Sequence, residues 1–573
     1  MAKPTRLTQE MIDTYMVRGY WDETSIAKIL RLNATNYPQS EAIVDGQTRL
    51  TWSALDRITD ALALGLLEKG IERDQALVAQ VPTPSTTLLI LLACHKAGII
   101  CCFPPLTFRQ NEIRHVLKTL NAVAVVTPLK YRNTDYFGMV KEIAADLPQL
   151  RLFIVTADEV PQGAIPFRHL LETPIGDKDP EKTLASRTFG PFEVSIISLT
   201  SGTTGLPKCI EHTGASSKAG GWGVVERGKM TQKDILGDIA PLSGGPGLQN
   251  WWAGFQVGAK ICLLERFSPE GALELIEREG VTYLAAIPTQ LIKILKDADL
   301  GRYDLTSLRV VRTGAAAFDA ALARETEEKM NCKVLIAGGS QETYSFGQTG
   351  VDDPPEKRLY TLGKPFPGNE VKIASGDGKE LPQGEVGELF VRGATTSSGY
   401  FADPDTTVEA WCELGKGGWY RTGDLAKLDE QGYLVMVGRK REVIIRGGQN
   451  IFPKEIEDLL LTHPHVTQAV VIGIPDQVMG ERACACVTLV KRQAFTFEEM
   501  ISFLKEKGLA IHKLPERLEV VEEFPQLVDG QKVDKISLKK MILDKITPSP
   551  TTSPSRGRIA IGHPPPTPAG DPE

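Results

Sequence analysis

Residues 198–208 have the sequence SLTSGTTGLPK, and they decide how the rest of the chain is interpreted. They overlap the apolar, β-branched run 194–199, which predicts a buried strand that leads into a loop. Glycines let the backbone approach a ligand closely, and successive N–H groups and hydroxyls can then surround phosphate oxygens. Lys208 adds a positive charge where phosphate charge would accumulate. The stretch therefore predicts a phosphate-binding loop.

The candidate phosphate contacts are the residues of this loop that carry a hydroxyl, a positive charge or no side chain. They are Thr200, Ser201, Gly202, Thr203, Thr204, Gly205 and Lys208. The loop is not of the Walker type, because no Gly-Lys pair in it is followed by Ser or Thr. A surface loop rich in glycine and hydroxyls, with no ligand, has the same composition and is the alternative interpretation.

Length and composition limit the class of protein. A chain of 573 residues is too long for one core and predicts at least two domains. The net charge of −7 gives no reason to expect nucleic acid or an anionic membrane as a partner. The nine cysteines lack zinc or redox spacing, which favours free thiols in a reducing compartment. Residues 1–20 do not resemble a signal peptide, and no apolar run is long enough for a bilayer, so we expect a cytoplasmic protein.

Alternating strand and helix patterns predict the α/β class, with parallel-rich sheets covered by helices. One example is the helix expected from Ser53, as its cap, to Leu67. From about residue 385 the chain has short strands and glycine turns, which predict a small β-barrel-like part. We expect a large domain over 1–440, a small mobile α+β domain over 441–546, and a disordered tail rich in Pro, Ser and Thr over 547–573.

Two further motifs carry acidic side chains after predicted strands. The run Gly339, Ser340, Gln341, Glu342, Thr343 follows a strand at 333–337, and its carboxylate is a natural Mg²⁺ ligand beside phosphates. The second motif, WYRTGDL at 419–425, contains Asp424, whose carboxylate can accept hydrogen bonds from both ribose hydroxyls of a nucleotide. Taken alone, Glu342 is a solvated loop charge, and Asp424 is an aspartate in a tight turn.

Together with residues 438–457 and 524–535, these motifs resemble those of the AMP-forming adenylating superfamily. This family includes acyl- and aryl-CoA ligases, adenylation domains of peptide synthetases, and beetle luciferases. The resemblance extends from about residue 20 to 545. It implies that Glu342 holds Mg²⁺, that Gly339, Ser340 and Gln341 border the nucleotide, and that Asp424 binds the ribose. Gln341 and Gly338 depart from the family pattern, in which a Thr and an aromatic residue are common.

The resemblance also assigns roles to the second half of the chain. It implies that Arg439 approaches the ribose and that Arg441 is the hinge between the two domains. Gly447 and Gly448 would lie along the tunnel for the pantetheine arm of CoA. The run NIFP at 450–453 is closer to the acyl-CoA ligase branch than to the siderophore branch.

A lysine near the C-terminus is the expected catalytic residue of adenylation. The family has Gly-Lys where this chain has Gly530, Gln531 and Lys532. Aligned from the right, Lys532 is the catalytic lysine after a one-residue insertion, and we favour this alignment because loops tolerate insertions. Aligned from the left, Gln531 takes its place and the lysine is lost. A surface lysine in a mobile loop is a further alternative.

The identity of the acid is harder to predict. Residues 18–21 resemble the dihydroxybenzoate–AMP ligases, but the His-Asn pair of those enzymes corresponds here to Gly244 and Gly245. No partner for an ortho hydroxyl remains, so selection for that group should be weak. Small residues predict an apolar pocket that is wide enough for a ring or a medium chain. The residues of this predicted pocket are Gly244, Gly245, Gly314, Ala315, Ala316 and Gly338.

The predicted function is an AMP-forming carboxylic acid–CoA ligase that uses ATP, Mg²⁺ and CoA. Its acid would be aromatic, alicyclic or a medium-chain fatty acid. A stand-alone enzyme that loads an aryl acid onto a carrier protein is the main alternative. A luciferase-like oxygenase and a non-catalytic nucleotide-binding module are further alternatives, and the sequence does not indicate an oligomeric state.

Overall fold

The fold is given by a computed structural model of the chain. The residues that the structure describes are 4–175, 179–200, 206–314, 320–376, 378–412, 418–447, 449–491, 493–526 and 533–546. Among them no helix is long and apolar enough to cross a membrane. The nine cysteines are free thiols, and seven of them are buried.

The largest sheet has nine strands, and its central strands are parallel while the edges are antiparallel. In spatial order the strands are Lys364–Pro365, Tyr344–Gln348, Lys333–Ser340, Val310–Gly314, Tyr283–Ala285, Ile235–Asp238, Lys260–Leu263, Glu41–Asp45 and Thr48–Thr51. Loops at the carboxyl ends of such strands form ligand crevices in open α/β sheets. The loops after Ile235–Asp238, Val310–Gly314 and Lys333–Ser340 are therefore placed for a site.

The second sheet has seven strands and is parallel except at one edge. In spatial order the strands are Cys209–Thr213, Val194–Leu199, Ile100–Cys102, Ala76–Ala79, Ala124–Thr127, Leu152–Val155 and Ile165–Pro166. The antiparallel edge is the hairpin that carries the predicted phosphate loop. A separate two-strand ladder joins Lys130–Tyr131 to Thr134–Asp135.

Two five-stranded sheets follow in the chain. The first is antiparallel and contains Asn369–Ala374, Gly387–Gly393, Trp411–Cys412, Trp419–Leu428 and Leu434–Arg439. The second uses only residues after 443, namely Ile444–Arg446, Gln449–Ile451, Val466–Asp476, Gly480–Leu489 and Arg517–Val520. Its buried side chains form clusters that contain no residue of the preceding part.

Helices cover the sheets. Those before residue 441 are Gln9–Val17, Ile26–Asn36, Trp52–Glu68, Pro84–Ala97, Gln110–Thr119, Tyr136–Ala144, Phe167–Leu171, Pro180–Leu184, Gly214–Gly228, Gly245–Val257, Pro269–Glu279, Pro288–Asp297, Ala320–Met330, Pro355–Arg358 and Pro404–Ala410. Those after it are Pro453–Leu461, Phe497–Glu506 and Lys535–Ile546. Short 3-10 helices occupy Leu300–Arg302, Lys440–Glu442 and Ile511–Lys513.

The predicted fold class is confirmed: parallel-rich sheets covered by helices, a small antiparallel sheet, and an α+β unit at the C-terminal end. The predicted cap at Ser53 is wrong, because the helix begins at Trp52 and the Thr51 hydroxyl accepts from the Ala54 amide. The division at residue 441 stays a prediction, and the tail 547–573 lies outside the described residues.

The core beneath the site is aromatic. Trp251, Trp252 and Phe255 lie on helix Gly245–Val257 and are fully buried. Their rings pack against one another, with the Trp251 and Phe255 ring centroids 4.8 Å apart. Burial of such large side chains fixes the helix, and its first turn therefore has a defined position at the crevice.

One buried histidine in this core makes stability depend on pH. Burial lowers the pKa of His95 to about 3, and its Nε2 has no hydrogen-bond partner among the described residues. The unfolded chain gains this proton near pH 6.5, so stability is complete above that pH and is lost as the pH falls toward 3. At about pH 4.5 the loss is about 2–3 kcal/mol for this group.

We expect His95→Leu to reduce the acid destabilisation, because leucine cannot gain the proton. The measurement is the thermal midpoint at pH 7 and at about pH 4.5, compared between the two proteins. The difference between the two midpoints should be smaller in the variant. An equal difference would contradict the assignment.

Candidate functional site

The predicted phosphate loop connects two antiparallel strands, Val194–Leu199 and Cys209–Thr213. Its ends are closed by two hydrogen bonds, because the Thr200 amide donates to the Lys208 carbonyl at 3.2 Å and the Lys208 amide donates to Thr200 Oγ1 at 3.0 Å. The other candidates of this loop, Ser201, Gly202, Thr203, Thr204 and Gly205, lie outside the described residues. The described ends place Thr200 and Lys208 at one point of the crevice.

Lys208 and Glu342 both contact the side chain of Tyr400. The Tyr400 hydroxyl donates to Glu342 Oε1 at 2.9 Å, and Lys208 Nζ lies 4.8 Å from the centroid of the Tyr400 ring. Glu342 is only 6% exposed. Burial raises the pKa of Tyr400, and the negative charge of Glu342 raises it further, so the phenol stays a hydrogen-bond donor. The loop cation and the candidate metal ligand are thus held close together.

Gly339 and Ser340 are the last two residues of strand Lys333–Ser340, and Gln341 follows them. The Ser340 amide donates to the Thr343 hydroxyl at 3.2 Å, which closes the turn that presents Glu342. Gly339 must lack a side chain, because a Cβ there would overlap the carbonyl oxygen of Tyr344 on the neighbouring strand. The glycine therefore allows the two strands to approach at the site.

We expect Gly339→Ala to lower the free energy of unfolding by about 3 kcal/mol, because backbone atoms must move to admit the methyl group. The measurement is denaturant or thermal unfolding. Gly376→Ala is the matched control, since a Cβ there meets no atom within 4 Å, and its effect should stay within about 0.5 kcal/mol. Equal stability of the two variants would contradict this packing.

Asp424 and Arg439 lie opposite each other on antiparallel strands. Arg439 Nε is 2.8 Å from Asp424 Oδ1, and the Asp424 amide donates to Thr422 Oγ1 at 3.0 Å. Asp424 is buried while Arg439 is half-buried. The two residues that the sequence analysis assigned to the ribose therefore form one ion pair.

A cavity of about 370 Å³ opens at the carboxyl ends of both large sheets. Its lining includes Thr200, Ser340, Gln341, Gly244, Gly245 and Gly314. Helix Gly245–Val257 begins here, with Gly244 as its N-cap and proline in its first turn. The candidate acid pocket and the candidate nucleotide residues therefore share one space.

Gly338 does not line this cavity. The space where its Cβ would lie is filled by Leu362 Cδ1 at 2.5 Å and Phe346 Cε2 at 2.7 Å. Glycine at this position therefore leaves room for the Leu362 and Phe346 side chains and does not widen the pocket. The Cβ position of Gly314 likewise faces a backbone oxygen, that of Ala337, at 2.6 Å. Ala315 and Ala316 lie outside the described residues.

The expectation of an apolar pocket is wrong in part, because polar side chains also line the cavity. Among them are Asp238, Gln249, Arg312 and Ser345. Arg312 Nη2 donates to Gln249 Oε1 at 2.8 Å and to Ser345 Oγ at 2.9 Å. An arginine inside the apolar run 310–314 was the sequence signal for this group.

The remaining predicted residues lie toward the C-terminal end. Arg441 is exposed in the 3-10 helix Lys440–Glu442, which connects the last strand of the small antiparallel sheet to Ile444–Arg446. Gly447 has a φ of +54° and its amide donates to the Met479 carbonyl at 2.8 Å. Gly448 and Lys532 lie outside the described residues.

The fold and these motifs define the class of adenylate-forming enzymes. A model of the AMP-binding enzyme family matches residues 30–401, and a model of the AMP-binding enzyme C-terminal domain matches residues 455–530. The chain belongs to this family.

Two relatives span nearly the whole chain. The medium-chain fatty-acid–CoA ligase of Escherichia coli (strain K12) is 32% identical over 536 residues, 93% of each chain. The 2,3-dihydroxybenzoate-AMP ligase of Bacillus subtilis (strain 168) is 31% identical over 543 residues, 94% of this chain and 97% of the relative. The predicted resemblance to acyl- and aryl-acid ligases is confirmed.

Solved structures have the same fold. The anthranilate CoA ligase AuaEII, in complex with anthranoyl-AMP, has a TM-score of 0.82 at 22% identity and covers 92% of this chain and 98% of its own. The amide bond synthetase McbA from Marinactinospora thermotolerans has a TM-score of 0.79 at 25% identity, and the match covers 90% of this chain and 99% of that one.

Proposed function

We propose that the chain is an AMP-forming carboxylic acid–CoA ligase that acts on an aromatic, alicyclic or medium-chain acid. The observation that carries this proposal is the group formed by Lys208, Tyr400 and Glu342. Two residues joined to this group line the cavity: Thr200, which is hydrogen-bonded to Lys208, and Gln341, which precedes Glu342 in the chain. The group would supply a cation for phosphates and a carboxylate for a metal ion near a space that is large enough for an acid.

The first half-reaction makes the acid electrophilic. A carboxylate oxygen attacks the α-phosphorus of ATP, the new P–O bond forms, and the bond to the bridging oxygen breaks to release pyrophosphate. The products are an acyl-adenylate and pyrophosphate. The loop 200–208 would hold the β- and γ-phosphates, and Lys532 would bridge the carboxylate and the α-phosphate. Positioning and charge neutralisation are the main contributions of a protein to such a step.

The residues present fit a magnesium ion. Glu342 offers a buried carboxylate and Thr200 a hydroxyl, and hard oxygen donors are what Mg²⁺ prefers. When bound, the ion would neutralise phosphate charge. Tyr400 fixes the Glu342 carboxylate by its hydrogen bond, and Asp424 with Arg439 would orient the ribose.

The second half-reaction transfers the acyl group to a thiol. The sulfur of CoA attacks the carbonyl carbon, the C–S bond forms, the C–O bond to the phosphate breaks, AMP leaves and the thiol proton is released. We propose that the C-terminal part rotates about Arg441 between the two steps, which moves Lys532 out and brings Gly447 and Gly448 to the pantetheine arm.

A panel of acids with ATP and Mg²⁺ tests the proposal. We expect acid-dependent exchange of labelled pyrophosphate into ATP, and an acyl-CoA product when CoA is added. Transfer to a holo-carrier protein with none to CoA would favour the carrier-loading alternative, which relatives named 2,3-dihydroxybenzoate-AMP ligase and pyochelin synthase PchD support. No exchange with any acid would overturn both.

A further inference from the structure

The wall of the cavity contains an aspartate and an arginine that the activation chemistry does not use. Asp238 is 2% exposed and Arg312 is 3% exposed, and both line the cavity. The register of three parallel strands pairs Asp238 with Ala285, and Ala285 with Arg312. Residues in one row of a parallel sheet share a face. The Asp238 and Arg312 side chains therefore lie on either side of the small Ala285 side chain, on the same face.

The polar groups of this wall are only partly satisfied by the protein. Arg312 Nε donates to Gln348 Oε1 at 2.6 Å, and Nη2 donates to Gln249 and Ser345. Nη1 makes no hydrogen bond to the part of the chain that the structure describes. Neither carboxylate oxygen of Asp238 has a hydrogen-bond partner among the described residues. Unpaired buried polar groups are costly, which favours a partner that arrives from outside.

A second aspartate, just before the first residue of strand Ile235–Asp238, has a full set of partners. This residue, Asp234, accepts from Arg309 Nε at 2.7 Å and from the hydroxyls of Thr231 and Thr282. Burial would raise the pKa of Asp234, but these hydrogen bonds outweigh it and lower the pKa. For Asp238, burial raises the pKa well above its usual range, opposed only in part by the Arg312 charge and by the Ala240 amide, which lies near the carboxylate without meeting hydrogen-bond geometry. Asp238 thus lacks the bonds that stabilise its counterpart.

We propose that Asp238 and Arg312 bind a hydroxyl group of the acid substrate, remote from the carboxylate that is activated. The inference rests on the proposed function. A hydroxyl can accept a hydrogen bond from Arg312 Nη1 and donate one to Asp238, so one group satisfies both. A second carboxylate would instead lie against the carboxyl group of Asp238. The substrate class is therefore a hydroxylated carboxylic acid, bound by two residues on strands that flank Tyr283–Ala285 in one sheet.

Matched acids on the unaltered enzyme test the proposal first. The pairs are octanoate and its ω-hydroxy derivative, benzoate and its meta- and para-hydroxy derivatives, and cyclohexanecarboxylate and its para-hydroxy derivative. We expect kcat/KM for pyrophosphate exchange to be at least about 10²-fold higher for one hydroxylated acid than for its parent, because a site with unpaired polar groups rejects the analogue that lacks the hydroxyl.

Two variants test whether Asp238 causes the preference for the hydroxylated acid. Asp238→Leu should reduce the hydroxyl-to-parent ratio of kcat/KM by at least about 10-fold. Asp234→Asn removes a charge just before the same strand and outside the cavity, and it should leave the ratio unchanged. Parent acids that are used as well as all their derivatives would overturn this inference while the proposed function stands. If no acid supports exchange, both fail.

Discussion

Replacement of Glu342 by glutamine should lower the rate of acid-dependent pyrophosphate exchange by about 10²–10³-fold. Glutamine keeps the shape of the side chain and an oxygen that can accept from Tyr400, so the variant removes mainly the negative charge. That charge accepts from Tyr400, whose ring Lys208 also contacts, and the preceding residue Gln341 lines the cavity. The measurement is exchange at saturating ATP over a range of Mg²⁺ concentrations. The concentration that gives half-maximal exchange should rise in the variant.

Two further proteins make this result specific. Tyr400→Phe removes only the hydrogen bond to Glu342 and should cost about 10-fold, because a hydrogen bond to a charged group contributes about 1.5–3 kcal/mol. Glu279→Gln is the matched control: its buried carboxylate binds Arg49 and Lys260 elsewhere in the large sheet. It should lose stability but keep its exchange rate. Normal exchange by Glu342→Gln at every Mg²⁺ concentration would remove this residue from the site.

Local patterns were sufficient for most of the fold and for the motifs. Strand Val194–Leu199 follows from its apolar run, and the loop after it from glycines and hydroxyls. Helix boundaries were less certain, because Thr51 and Ser53 both offer capping hydroxyls and only the packing of Trp52 selects between them. Sequence-local chemistry does not contain that information.

The cavity wall could not be predicted, because it depends on strand register. Asp238 and Arg312 are far apart in the chain, and only the pairing of both strands with Tyr283–Ala285 brings them into one row. Two of the small residues also depend on how the strands pair. Gly338 and Gly314 are glycines because backbone and side chains of neighbouring strands occupy the Cβ positions, a constraint that arises only after the sheet forms.

Lys532→Ala should lower adenylate formation by about 10²–10³-fold while thioester formation from a supplied acyl-adenylate stays nearly normal. The charge on this lysine would be needed where the carboxylate meets the α-phosphate, and the second step no longer requires it. The measurement is pyrophosphate exchange for the first step, and CoA-dependent consumption of synthetic acyl-adenylate for the second. Equal losses in both steps would contradict the role.

Lys535 is a second lysine close to this loop in the chain, and its ammonium group has partners in the structure. Its Nζ lies 2.7 Å from Glu442 Oε2 and 3.1 Å from Glu457 Oε1. Burial alone would lower the pKa of Lys535, but the charges of these two glutamates outweigh it and raise the pKa. The ammonium group therefore stays charged and paired with both glutamates. We expect Lys535→Met to lower stability and to leave exchange within a few-fold of normal. The reverse result, with exchange lost in Lys535→Met and retained in Lys532→Ala, would show that the alignment of the loop from its right-hand side is wrong.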